Sequence, residues 1–456
     1  MLTSPRARRR PVGSTLLGLA VALAPTLGCG DEGCDEDLRI CSIDSADCQE
    51  HVFVQTACAR GHAGRTPPPV SSITRDQLED LLRGGEPPTA EQGLVDAQIA
   101  TSLRMLGLLP PGETSSEEAA IQAFARSVLA FYTRETGSVT IVETNLGEDP
   151  ETEVFVLSHE FVHAQQDVDV GLQDFFDTYA GNGDQTTATR SVTEGEAVLY
   201  SNLTMARQPG ASITAEIFAD YYAQQQQSLR DAAGGDPDTE VGYTDLSSVF
   251  PYPFGGQLVT DRWLADGNAG VLELYDDPPR STAAILRTVT GKDPLPEDPV
   301  TASVGPLPDG YSVIAEDTMG AWIVYAFVLR NRITEPTASS LAEGWLGDQI
   351  VVAGGAAQTD VALVWTVRFA DETLASRFAA IDGVSPPEGA RSVRVAGRDV
   401  IVVMASDPAQ LESWESVFPA AVVPRSPSLV ATPPAARGPR LRPPPVHEPR
   451  LPRAAR

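Results

Sequence analysis

Histidine and cysteine are scarce in this chain of 456 residues, which contains five of each. Long apolar runs are scarcer still. Beyond the N-terminal region the longest one is "MGAWIVYAFVL" at 319–329, which has the length of a buried helix and is too short to cross a bilayer comfortably. We therefore expect a folded body without a membrane-spanning helix, attached to a membrane at most through its N-terminus.

Basic residues are also few, since 33 lysines and arginines stand against 62 aspartates and glutamates and the net charge is −29. Much of the positive charge lies at the two ends. Residues 1–28 carry four arginines and no acidic residue, and residues 424–456 carry seven arginines and one glutamate. The body between them repels nucleic acid and anionic lipid surfaces, so we expect neither as a partner.

The N-terminus has the pattern of an export signal over residues 1–28. "MLTSPRARRRPVG" is basic, and "STLLGLAVALAPTLG" is an apolar segment that leads directly to Cys29. The sequence "TLGC" resembles the lipobox of bacterial lipoproteins, which predicts lipidation at Cys29 and a location in the cell envelope. The alternative is an ordinary cleaved signal peptide with a chance cysteine, and a secreted protein.

The other four cysteines lie close together within residues 29–66, at Cys34, Cys41, Cys48 and Cys58. If Cys29 carries a lipid, these four can form two disulfides in an oxidising compartment, with three possible pairings. A zinc cluster is the competing interpretation. The spacings lack the C-x-x-C pairs of such clusters, so disulfides are favoured.

The rest of the chain divides by composition. "RTPPPVSS" at 65–72 has the composition of an extended linker, and "SSEEAAIQAFARSVLAFYTRETG" begins like a capped helix. "SVTIVET" at 138–144 alternates like a strand, and helices are expected over 189–203 and 315–332. Strands with two helices between them predict a small α+β unit at 346–423. The proline- and arginine-rich tail, 424–456, is expected to be disordered.

One short segment, "EVFVLSHEFVHAQQD", carries two of the five histidines on a predicted helix. His159 and His163 lie one turn apart, rotated by about 40°, so both imidazoles can bind one zinc ion. Glu160 is turned by about 100° from His159, where it can act as a general base on the attacking water. Asp167 could accept the N–H of a ligand histidine, or it could simply be a solvated residue near the end of the helix. The alternative interpretation is a hydrogen-bonded pair of core histidines.

A catalytic zinc ion requires a third protein ligand, and "TEGEA" at 193–197 offers two glutamates on a second predicted helix. Glu194 and Glu196 point about 200° apart on a helix, so only one of them can face the metal.

The order of several segments resembles a group of bacterial metallopeptidase-like proteins of the zincin class. The segments are "LRMLGLLPPGE", "VLAFYTRETGSVTIV", "LSHEFVHAQQD", "VTEGEAVLY", "FPYPFGGQLV" and "VALVWTVRFADETLASRFAAI". The resemblance covers about 95–405 and departs from the group at Val162, Val168 and Gln349. In zincins of the gluzincin type the glutamate before glycine in E-G-x-A is the ligand. The resemblance therefore implies Glu194 as the ligand and Glu196 as a solvated or supporting carboxylate.

The resemblance also implies a mainly helical zincin-like metallopeptidase domain over 67–345 with a small β-sheet, within an α+β fold. Its expected activity is zinc-dependent hydrolysis of a peptide or protein substrate outside the cytoplasm. The strand "SVTIV" would be the sheet edge that aligns the peptide. Tyr252, in the turn "PYPFGG", is the candidate donor to the developing oxyanion, although it could equally be an aromatic that packs the turn. The alternative function is a non-enzymatic envelope lipoprotein that keeps the fold as a zinc-binding or protein-binding scaffold.

Overall fold

The computed structural model describes residues 34–62, 64–84, 88–143, 149–235, 242–419 and 423–424. The predicted export signal, the lipidation site Cys29 and residues 425–456 of the predicted tail lie outside the described residues. Among the described helices, none combines the length and the apolar composition that crossing a membrane requires.

The described chain is a mixed α+β structure, as predicted, and helices predominate. The α-helices are α1 Ala46–Arg60, α2 Arg75–Arg83, α3 Ala90–Met105, α4 Ser116–Ser127, α5 Pro150–Val170, α6 Leu172–Tyr179, α7 Gly183–Met205, α8 Ala215–Ala233, α9 Tyr243–Val249, α10 Gly256–Asp276, α11 Thr282–Val289, α12 Gly320–Arg330, α13 Glu335–Glu343, α14 Glu372–Ala379 and α15 Leu411–Val417. A π-helical turn, Pro251–Gly255, joins α9 to α10.

The strands form two sheets and one short pair. They are β1 Val70–Ile73, β2 Ala130–Thr133, β3 Ser138–Val142, β4 Val300–Thr301, β5 Ser312–Asp317, β6 Trp345–Gly354, β7 Val361–Phe369, β8 Ala390–Ala396, β9 Asp399–Ala405 and β10 Val423–Pro424.

The small N-terminal sheet has the order β1-β3-β2, with β1 parallel and β2 antiparallel to β3. One prediction is wrong here. The segment 65–72 is extended, but instead of only linking two units it supplies β1, whose Val70 pairs with Val139. The predicted helix begins at a Ser115 cap, as expected, but it ends at Ser127 and β2 follows, with all four of its residues buried.

The larger sheet is antiparallel, with the order β5-β6-β7-β9-β8. Successive residues of its strands point to opposite faces. Ile350 therefore packs with the core formed by α12 and α14, and Val351 packs with α15. The strand β5 belongs to this sheet although it precedes residue 346, where the α+β unit was predicted to begin. The helix predicted over 315–332 is shorter than expected and forms α12 at Gly320–Arg330.

The cysteine-rich segment packs directly on the body of the protein. Its helix α1 buries Val52 and Phe53 in one cluster with Val139 of β3 and Leu157 of α5. His51 of α1 is buried and accepts the backbone N–H of Arg39 at 3.0 Å. This segment therefore lies close to the motif helix.

Candidate metal centre

The helix α5 carries the histidine motif and has clear ends. Asp149 caps it by accepting the N–H of Glu151, Pro150 begins it, and Gly171 ends it in the left-handed conformation with φ 65°. His159 and His163 lie in its middle, where the helix is buried. The local sequence thus places the two imidazoles one turn apart on the same face.

The third member of the group comes from α7, which begins at an Asn182 cap and packs along α5. The Nε2 atom of His159 lies 3.1 Å from Oε2 of Glu194 and 3.1 Å from Nε2 of His163. The distance from Nε2 of His163 to Oε2 of Glu194 is 3.5 Å. All three residues are buried, and their ligand atoms form a group that could hold a metal ion.

The spacing of these three atoms fits one tetrahedral ion. Ligands at about 2.0–2.1 Å from zinc lie roughly 3.3 Å from one another in a tetrahedron, and the three observed separations are 3.1, 3.1 and 3.5 Å. Without a cation the arrangement needs a shared proton. Although burial opposes the charged form, the hydrogen bond and charge of Glu194 raise the pKa of His163 to about 9.

Glu160 lies beside the group and does not belong to it. Its side chain is 2% exposed, and Oε2 has no hydrogen-bond partner within the described structure. Its carboxylate accepts a hydrogen bond from the backbone of Tyr132 on β2. Burial, together with the nearby charge of Glu194, raises the pKa of Glu160 to about 8, against the opposite effect of His163. A buried carboxylate with one oxygen still able to accept a proton, next to this group, suits the role of a general base.

Gln166, and not Asp167, supports a histidine of this group. The Nδ1 atom of His163 lies 2.8 Å from Oε1 of Gln166. Asp167 instead accepts the hydroxyl of Tyr132 at 3.0 Å and the backbone N–H of Leu172 at 3.0 Å, at the start of α6. The predicted support of a histidine by Asp167 is therefore wrong. Gln166 lies three residues after His163, and this helical spacing could have indicated from the sequence that the two side chains are neighbours.

Glu196 is buried at 1% exposure, so it is a supporting carboxylate and not a solvated one. Its Oε2 atom accepts from Nε2 of Gln166 at 2.9 Å and from the hydroxyl of Tyr275 at 2.5 Å. Its Oε1 atom accepts from Arg60 of α1. Neither Tyr275 nor Arg60 was expected at this site, because each comes from a distant part of the chain.

Arg190 lies beside the other carboxylate oxygen of Glu194. Its Nη2 atom lies 3.6 Å from Oε1 of Glu194 and donates to the carbonyl of Ser248 at 3.4 Å. Sequence reasoning missed Arg190 too, although it lies one turn before Glu194 on the same face of α7. Oε2 of Glu194 is thereby left facing the two histidines.

Tyr252, the candidate oxyanion donor, lies next to His159 and Glu194. Its ring stacks on the ring of His159 with a centroid separation of 5.8 Å, and its hydroxyl hydrogen-bonds Glu194. Burial and the charge of Glu194 hold the pKa of Tyr252 well above its usual value, so the hydroxyl keeps its proton and stays a donor. Tyr252 also lines a cavity of about 420 Å³, together with Tyr221, Leu229 and Val249.

The strand β3 is not the edge of its sheet. It lies between β1 and β2, so the prediction that "SVTIV" aligns a peptide along a free edge is wrong. The edge strand near Glu160 is β2, and all four of its residues are buried.

The four described cysteines form two disulfides, Cys34–Cys58 and Cys41–Cys48. The structure thus selects one of the three pairings that the sequence left open. Disulfides persist in oxidising compartments, so the pair indicates an extracytoplasmic location.

Comparison of this chain with known protein families, with curated proteins and with solved structures finds no match.

Proposed function

We propose that this protein is a zinc-dependent metallopeptidase that acts outside the cytoplasm. The observation that carries the proposal is the buried group of His159, His163 and Glu194, with ligand atoms 3.1–3.5 Å apart, beside a Glu160 carboxylate whose Oε2 atom has no described partner. Two imidazoles and one carboxylate leave a tetrahedral position open, which distinguishes catalytic zinc sites from structural ones.

Zinc bound by these residues would polarise the scissile carbonyl and lower the pKa of the attacking water. Glu160 would accept the proton of that water and then deliver it to the leaving amine. Its Oε2 atom has no other described partner, and the backbone of Tyr132 holds the carboxylate in place. The hydroxyl of Tyr252, which keeps its proton, would exchange its hydrogen bond to Glu194 for one to the developing oxyanion.

The cavity beside Tyr252 supports a substrate larger than a single amide group. Its volume of about 420 Å³ accommodates a residue of a peptide, and its lining is mainly apolar with Arg126 and Asp245 as the charged members. Because Tyr252 both lines this cavity and stacks on His159, a substrate residue held there would contact a direct neighbour of the ligand group.

We further propose that Cys29 carries a lipid and anchors the mature protein in the cell envelope. The N-terminal sequence supports this, and the two disulfides agree with an extracytoplasmic location. Metabolic labelling with a fatty acid, compared with the Cys29→Ser variant, tests the anchor separately from the metal site.

The zinc content of the purified chain tests the metal step. We expect about one zinc per chain in the wild type, loss of zinc in Glu194→Gln, and retention in Glu160→Gln, because only Glu194 belongs to the ligand group. A wild type that retains no zinc under chelator-free conditions contradicts the proposal. A chain that holds zinc but cleaves no member of a peptide library would instead be the binding scaffold.

A further inference from the structure

The helix α1 of the cysteine-rich segment touches both helices of the ligand group. Phe53 packs edge-on against Phe161 of α5 at a centroid distance of 5.3 Å, and Thr56 donates to Ser158 at 3.0 Å. At the end of α1, Arg60 is 3% exposed and reaches Glu196 of α7. The residues next to the ligands are thus supported from a segment that precedes them by about a hundred positions.

The orientation of the Gln166 amide follows from its partners. Its Nε2 atom donates to two groups that can only accept, Oε2 of Glu196 at 2.9 Å and the carbonyl of Thr193 at 2.9 Å. Its Oε1 atom therefore faces His163 and accepts the proton of Nδ1 at 2.8 Å. With the proton on Nδ1, the lone pair of Nε2 in His163 is free for a metal.

Arg60 determines whether Glu196 can hold that amide. Its Nε atom donates to Oε1 of Glu196 at 3.1 Å, and Nη1 donates to Asp169 at 3.0 Å. Burial acts against the guanidinium charge, but Glu196 and Asp169 keep the pKa of Arg60 above its usual value. Without Arg60, Glu196 would be a buried carboxylate lacking its opposite charge, which is strongly unfavourable.

A disulfide fastens the turn of α1 that carries Arg60. Cys58 precedes Arg60 by two residues and is bonded to Cys34, with a Cα separation of 5.6 Å. The carbonyl of Cys34 accepts from Arg207, just beyond the end of α7, and the backbone carbonyl of Arg207 accepts from Leu38 at 3.0 Å. The bond therefore ties the last turn of α1 to the helix that carries Glu194 and Glu196.

We propose that Arg60 and Glu196 are positioning residues for the metal ligand His163, and that the Cys34–Cys58 disulfide holds Arg60 in place. Full metal affinity then develops only after this pair of cysteines is oxidised. The inference rests on the proposed zinc site. It adds that the cysteine-rich segment completes this site and is more than a stabilising appendage.

The second disulfide provides a matched control. Cys41–Cys48 closes a separation of seven residues at the beginning of α1, whereas Cys34–Cys58 closes a separation of 24. Cys48 lies twelve residues before Arg60, which is about 18 Å along a helix. Removing Cys41–Cys48 should therefore affect stability without moving Arg60.

The test measures the zinc affinity of the full chain by competition with a chelator, at a temperature well below each Tm. Thiol reductants bind zinc themselves, so paired Cys→Ser variants replace chemical reduction. We expect Cys34→Ser with Cys58→Ser to lower zinc affinity by about 10- to 100-fold, as for other residues that orient a ligand. Cys41→Ser with Cys48→Ser should stay within about threefold of the wild type. Equal affinities in the two variants, whatever their Tm values, overturn the proposal.

A second set of variants tests Arg60 directly. Arg60→Met should lose zinc affinity by about the same factor as the Cys34–Cys58 variant. The double variant that combines Arg60→Met with Glu196→Gln should recover part of the lost zinc affinity. Its amide oxygen at position 196 can still accept from Gln166, and no unpaired charge remains there. A purely structural role would lower the Tm and leave the affinity of the folded protein unchanged, which contradicts the proposal. A wild type that binds no zinc contradicts the proposed function itself.

Discussion

Gly195 of α7 faces Gly255 of the π-helical turn so closely that a Cβ atom on Gly195 would lie 2.3 Å from the Gly255 carbonyl oxygen. In the other direction, a Cβ on Gly255 would lie 2.2 Å from the carbonyl oxygen of Ser191. The missing side chain at Gly195 thus admits the turn that carries Tyr252, and the glycine pair sets the distance between Glu194 and Tyr252.

We predict that Gly195→Ala destabilises the protein by about 1–3 kcal/mol or more, because backbone atoms on both sides must move to admit the methyl group. Chemical denaturation measures the loss. Gly93→Ala is the matched control, since Gly93 also lies inside a helix but a Cβ there meets nothing within 4 Å. The control should be neutral or stabilised by up to about 1 kcal/mol. Equal stability of the two variants would contradict the close approach.

Gln166→Leu is predicted to weaken zinc binding by about 10- to 100-fold, because it removes the acceptor for Nδ1 of His163. Competition with a chelator measures the change. Asp167→Asn changes the adjacent side chain, whose partners are Tyr132 and Leu172, and should leave zinc affinity within about threefold. If the aspartate variant loses more affinity than the glutamine variant, Asp167 supports the histidine after all.

The two helices of the site could be predicted because their signals are local. The cap at Asp149, the proline that follows it and the glycine at 171 delimit α5, and its two histidines share a face by helical periodicity alone. The C-terminal strands were also predictable, because alternating β-branched runs separated by short turns identify β6, β7, β8 and β9 without any knowledge of their partners.

What the sequence could not show is which distant residues meet. Arg60 and Glu196 are 136 positions apart, and nothing in the local pattern of either one indicates the other. The position of β3 within its sheet depends in the same way on β1, which a proline-rich segment supplied. For β2 the difficulty was local: a short apolar run that is buried throughout has no period to separate strand from helix.

Tyr252→Phe should lower kcat for peptide cleavage by about 10²- to 10³-fold, the usual loss for one donor to an oxyanion. The ring would still stack on His159 and all three candidate ligands remain, but the hydroxyl bond to Glu194 is lost, so kcat is measured with zinc in excess to keep the site filled. Tyr221→Phe removes a hydroxyl from another residue lining the same cavity and should change kcat by no more than a few-fold. Equal effects of the two variants on kcat would mean that the Tyr252 hydroxyl only lines the cavity and does not donate to the oxyanion.

Glu160→Gln is predicted to reduce kcat by at least about 10²- to 10⁴-fold while zinc stays bound, because the amide cannot accept the proton of the attacking water. The variant should fold normally. Its amide oxygen can still accept from the backbone of Tyr132, and it removes a carboxylate that is costly to bury. Glu151→Gln, an exposed change in the first turn of the same helix, controls for the loss of one negative charge. Zinc content and peptide cleavage are measured on the same preparations. If Glu160→Gln and Glu151→Gln cleave equally well, hydrolysis does not use this carboxylate, and the buried group would hold its metal for a purpose other than the proposed chemistry.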